Sequence, residues 1–112
     1  MIRLVQSLFA FCCIASAANA QWVDGNKLLE KCQEKPAWYC AGFAAAIGDV
    51  LDKDANMVAP ENQVCMPPNV TLGQLMDVIQ KELKDNPDQR NYPAVYMATK
   101  AFSEAWPCSK PQ

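Results

Sequence analysis

Four cysteines, Cys32, Cys40, Cys65 and Cys108, constrain this chain more than any other feature, because the segment before them reads as an export signal. The opening twenty residues, MIRLVQSLFAFCCIASAANA, carry one early cation, Arg3, then a short apolar run and small residues at the end. That is the pattern of a secretory signal peptide with an Ala-x-Ala cleavage site, so residues 1–20 are assigned to the signal and the mature start to Gln21. The apolar run is shorter than the ~20 residues that a membrane-spanning helix needs. Cys12 and Cys13 lack the small preceding residue that a lipid-anchor signal requires. An even number of cysteines in a small exported domain predicts two disulfides. A zinc site competes poorly: the chain has no histidine, and spacings of eight, 25 and 43 positions contain no Cys-x-x-Cys pair.

The mature chain, residues 21–112, is short enough for one domain with a small core. Without Arg3 it has nine cations against twelve acids and no basic run, so neither nucleic acid nor an anionic membrane is expected as a partner. An acidic protein associates most readily with a basic one.

Hydrophobic periodicity places four helices. Asp24-Gly25-Asn26 caps a first helix over about 25–34, with Leu28, Leu29 and Cys32 on one face. Pro36 suits the first turn of a second helix that runs to about Lys53, buried through Cys40, Phe43, Ala44, Ile47, Val50 and Leu51. Residues 54–68, DANMVAPENQVCMPP, lack periodicity and read as a long loop, a kind that is often functional. Thr71 and Gln74 form a capping box, with Val70 and Leu75 as a hydrophobic staple, for a third helix that ends at Asn86-Pro87. Asp77 and Lys81 are spaced to pair on its wet side. A fourth helix begins near Pro93 and buries a stripe of small residues, Ala94, Ala98, Ala101 and Ala105, with Phe102, before Pro107 ends it. The expected fold is all-α, a compact bundle of about four helices stapled by two disulfides. Cys32 and Cys40 flank the first hairpin, and Cys65 and Cys108 bracket the second, so of three possible connectivities the layout favours Cys32–Cys40 and Cys65–Cys108.

Nothing composes a catalytic site. The missing histidine removes the commonest general base and every Ser-His or Cys-His pair, so the chain is not expected to be an enzyme and needs no cofactor. Asp49, Asp52 and Asp54 lack the spacing of a calcium loop and read as solvated surface. The Asn69-Val70-Thr71 sequon is better explained by Thr71 as a helix cap. Among the aromatics Trp22, Trp38, Tyr39, Tyr92, Tyr96 and Trp106, most are expected to fill the core or close the hairpins, as are Phe43 and Trp106. Tyr92 and Tyr96 lie off the alanine stripe and mark a candidate partner surface. In the loop, Met57 and Val58 are apolar within a polar stretch. Either they tuck beneath the loop or they stay exposed to plug a groove on a partner.

LLEKC, CAGFAAAIGDV, CMPPNVTLGQLMDVIQKELKDNPDQRNYPA and AFSEAWPC, in this order over nearly the whole mature chain, resemble the Rap/Tai family of type VI secretion immunity proteins. Two departures, Phe43 for a common tyrosine and Trp106 for a common phenylalanine, keep an aromatic. The resemblance implies a periplasmic helical protein with disulfides, often a homodimer, that binds a cognate peptidoglycan amidase effector and blocks its active-site groove. It transfers no contact residues. The loop, with Asp54, Asn56, Met57, Val58 and Glu61, is the candidate element for the cleft, and Tyr92 and Tyr96 are the candidate second contact. The alternatives are an acid-stress periplasmic chaperone, which is also small, helical and disulfide-linked, and a small-ligand carrier, which needs an internal cavity.

Overall fold

The computed structural model describes residues 22–108; the expected signal peptide and cleavage point lie outside them. Among the described residues four helices form, α1 (Gly25–Gln33), α2 (Trp38–Leu51), α3 (Leu72–Asp85) and α4 (Ala94–Ala105), with 3-10 turns at Pro60–Asn62 and Pro87–Gln89. Among the described residues the extended backbone amounts to isolated bridges, Asp24 with Pro93, Asp52 with Val64, and Val64 with Pro107. Two disulfides, Cys32–Cys40 and Cys65–Cys108, staple the bundle with the expected connectivity.

The start of α1 is fixed twice. Asp24 accepts a hydrogen bond from the Lys27 backbone N–H at 2.8 Å, the N-cap role anticipated for this stretch. Two further free N–H groups of the first turn, those of Gly25 and Asn26, donate to the carbonyls of Tyr92 and Arg90 at 3.0 and 2.9 Å. The approach is so close that a Cβ on Gly25 would stand 2.9 Å from the Arg90 carbonyl oxygen, which accounts for a residue with no side chain here. The chain ahead of α4 is thereby tied to the first turn of α1.

α2 starts at Trp38, two residues later than the sequence suggests. Pro36 belongs to the preceding turn, where its peptide bond with Lys35 is cis, and not to the helix. Cys40, Ala44, Gly48 and Leu51 are buried along its inner face. At Gly48 a Cβ would meet Leu75 at 3.2 Å, so the missing side chain lets α3 lie close across α2. α3 carries the full capping box: Thr71 accepts from the Gln74 N–H at 3.1 Å, and the Gln74 side chain accepts from the Thr71 N–H at 2.7 Å. Val70 and Leu75, the staple positions, are half-buried. Asn69, the sequon residue, supplies the left-handed bend just before the cap, with φ 71°. Lys81 pairs with Asp85 and not with Asp77; all three are exposed, where exchanging one partner for another costs little.

α4 buries Ala94, Met97, Ala98, Ala101 and Phe102. Ala105 of the expected stripe is exposed, and Met97, outside it, is completely buried. Leu28, Cys40, Ala44, Ile79, Leu83, Met97, Ala98 and Phe102 make one core without exposure to solvent. Val64, from the long loop, joins them and is equally inaccessible.

Candidate functional site, a loop and an aromatic face

The long connection between α2 and α3 is a braced loop. At its base the Val64 N–H donates to the Leu51 carbonyl at 2.8 Å, and the Val64 carbonyl accepts from the Lys53 N–H at 3.1 Å. Cys65 extends this clasp to the end of α4, through its N–H to the Trp106 carbonyl at 3.0 Å and its disulfide to Cys108. Within the loop, Asp52 accepts from the Asp54 N–H at 2.9 Å, and Asn56 takes the left-handed conformation with φ 52°. The Gln63 side-chain amide donates to Asn56 Oδ1 at 3.2 Å and to the Val58 carbonyl at 3.1 Å, which cross-links the two limbs. The apolar pair divides between the buried and the exposed placement. Met57 is 66% exposed, whereas Val58 packs against the core. Asp54 and Glu61 stand exposed on either side, with Lys53 paired to Asp54 at 3.1 Å.

Tyr92 and Tyr96 are 46% and 48% exposed, with rings edge-to-face at 5.4 Å between centroids. They do not stand alone. Trp22 is 97%, Tyr39 43% and Val95 50% exposed, and an open groove of about 450 Å³ runs between Trp22, Val23, Tyr39, Phe43, Pro93, Ala94 and Val95. Pro93 also lines a shallower hollow between Tyr92 and Tyr96, so the two depressions form one face without a charged lining residue. The expectation that most of the aromatics fill the core or close the hairpins is corrected in its first part. Phe43 and Trp106 do pack half-buried against it, but Trp22, Trp38 and Tyr39 lie at the surface. One signal for this was present: Tyr39 and Phe43 are four residues apart, on a stripe one position removed from the buried Cys40 and Ala44.

The structure separates the seven candidate contact residues into two groups. The loop bearing Asp54, Asn56, Met57, Val58 and Glu61 is clasped to the C-terminal end of α4, at Trp106 and Pro107. Tyr92 and Tyr96 sit at its N-terminal end, against the start of α1. At ~1.5 Å per helical residue, Tyr96 and Trp106 are about 15 Å apart along the axis.

A family model described as Rap1a immunity proteins matches residues 24–108. The chain belongs to the Rap1a immunity family. The match runs from the cap of α1 to the last disulfide cysteine, so it takes in all four helices, the loop and both staples. No curated protein and no solved structure matches the chain. A Rap1a immunity protein acts against a type VI effector, and its work is to bind a protein.

For a Rap1a protein whose work is binding, the described residues offer no group of three or more metal-ligating side chains and no helix long and apolar enough to cross a membrane. One charged cluster reaches into the fold. Glu82 on α3 is buried and accepts from Lys100 on α4 and from the Asn86 side chain at 3.0 Å, while Lys100 also reaches Glu104 at 3.1 Å. The hydrogen bond to Glu82 raises the Lys100 pKa above its ordinary value. This pair clamps α3 to α4 midway between the loop and the aromatic face.

Proposed function

We propose that this protein is a periplasmic, homodimeric immunity protein that inhibits a cognate peptidoglycan amidase by placing the Asp54–Gln63 loop in its active-site groove. The observation that carries this reading is the exposed Met57 side chain on a loop already braced by Gln63, Asn56 and the Val64 clasp. A loop ordered before contact loses little conformational freedom on binding, so more of its contact energy appears as affinity. Asp54 and Glu61 beside Met57 suit a basic rim, speeding encounter more than deepening affinity. Family membership favours this reading over a general acid-stress chaperone. The amidase assignment and the periplasmic setting follow from the resemblance carried by the cysteine and cap motifs, together with the signal-like first twenty residues.

The test is co-purification with a candidate amidase and titration of its peptidoglycan hydrolysis. The expected result is stoichiometric inhibition by the wild-type protein and loss of it when Asn56–Ala59 is deleted. Unchanged inhibition after that deletion rules out the loop.

A further inference from the structure

We infer that the aromatic face at the N-terminal ends of α2 and α4 is where two copies of this chain meet, and that it takes no part in holding the effector. This rests on the homodimer reading above and assigns it a surface.

Three observations lead there. The first is charge. The mature chain is acidic, so two copies repel unless they meet where charge is absent, and the groove and its neighbouring hollow are lined without a charged side chain. The acidic groups suited to a basic effector, Asp54 and Glu61, are on the loop at the far end of α4. The second is area. A large aromatic side chain offers roughly 150–250 Å², so the exposed fractions of Trp22, Tyr39, Tyr92 and Tyr96 amount to about 350–600 Å². With Val95 added, this is roughly half to four-fifths of the ~800 Å² that each partner gives to a stable interface, and it reaches the upper limit of what a monomer leaves uncovered. The third is shape. The Tyr92–Tyr96 ridge borders the groove between Tyr39, Phe43 and Val95, and a two-fold axis through such a face lays each ridge into the opposite groove. Trp22, with almost none of its surface covered by its own chain, stands at the groove rim. In the resulting dimer the loops lie at the ends away from the contact, and both stay free.

The experiment is analytical ultracentrifugation of the protein exported from its full-length gene, from low micromolar to hundred-micromolar concentration and without effector. The wild type and the Asn56–Ala59 deletion are expected to be dimers. Val95→Glu and Tyr96→Glu are expected to sediment as monomers, with the dimer weakened at least about thirtyfold and helical content unchanged. Should a buried carboxylate hinder folding, Tyr96→Ser tests the same contact without new charge and is expected to weaken the dimer in the same direction. A wild type that is monomeric throughout overturns the dimer itself. A dimer indifferent to Val95→Glu and Tyr96→Ser overturns the choice of face. A Val95→Glu protein with the wild-type oligomeric state but no amidase inhibition gives the face to the effector and overturns the inference in a third way.

Discussion

The two ends of the bundle are secured by different means. At the loop end the chain is held by backbone pairs at Val64, by a covalent bond and by Val58 against the core, and the rest of the loop exposes charge and one methionine. At the aromatic end the large side chains themselves form the surface, and Phe43 and Val23 pack against the core beneath it. A change at Met57, Asp54 or Glu61 therefore leaves the core untouched, while a change at Val58 or at Phe43 and Val23 disturbs it. Between the two stands the Glu82–Lys100 clamp. Sites farther apart than about 7–10 Å and without shared partners behave additively, so the ends should respond independently.

The largest effect that tests this independence is on inhibition. Removing Asn56–Ala59 is expected to weaken amidase inhibition at least about 100-fold while leaving the sedimentation behaviour of the aromatic end unchanged. A loss of the dimer in this variant would break the comparison. Next come the staples. On a chain-entropy model, replacing Cys65 and Cys108 by serine should cost about 4 kcal/mol of unfolding free energy, and replacing Cys32 and Cys40 about 2.5 kcal/mol, because the first pair closes the longer loop. Urea titration that ranks them the other way would show that the loop end owes its order to the clasp alone.

Smaller effects address the middle of the molecule. Glu82→Gln should cost about 1.5 kcal/mol, since it removes a charged acceptor from Lys100. The pH dependence has a defined sign: the folded-state pKa of Lys100 is raised, so its contribution is complete below the ordinary lysine value near 10.5 and is lost as pH rises through the folded value. Wild-type stability should therefore fall on the alkaline limb, and the Glu82→Gln limb should be flatter, as thermal melts across that range would record. The smallest change is Thr71→Ala, which removes one half of the capping box for about 1 kcal/mol, with both binding surfaces unaffected.

Which of these features were legible in the sequence depends on how far their causes reach along the chain. Thr71 and Gln74 are three residues apart, and a cap is settled within one turn, so the start of α3 was readable to the residue. The two disulfides were readable because each brackets a hairpin. The start of α2 was not, since a proline near a helix end fits the first turn and the preceding bend equally well, and here it falls in the bend. Of the aromatic face, Tyr92 and Tyr96 were read, but its α2 part was missed for a longer-range reason: Tyr39 and Phe43 differ from the buried Cys40 and Ala44 by one position of register, and the placement of α3 across α2 decides which stripe turns inward. The loop could be located but not divided, because whether Met57 or Val58 turns inward is fixed by the core that Val58 meets. That Tyr96 and Met57 lie at opposite ends was not read from the sequence; it follows from the bond of Cys65 to Trp106 and the Cys65–Cys108 staple, which tie the loop to the C-terminal end of α4.

Val64 has a consequence for how such a protein changes over time. Fully buried and paired through its backbone to Leu51 and Lys53, it closes the chain on both sides of the ten residues 54–63. Doubling the length of a flexible loop costs only about 0.6 kcal/mol, so the exposed residues between the two clasped ends, Val58 apart, can be changed or extended at little expense to the bundle. On the reading proposed above, the exposed part of the segment is a cassette on a fixed chassis, and a new opponent is met by rewriting it with the four helices left as they are.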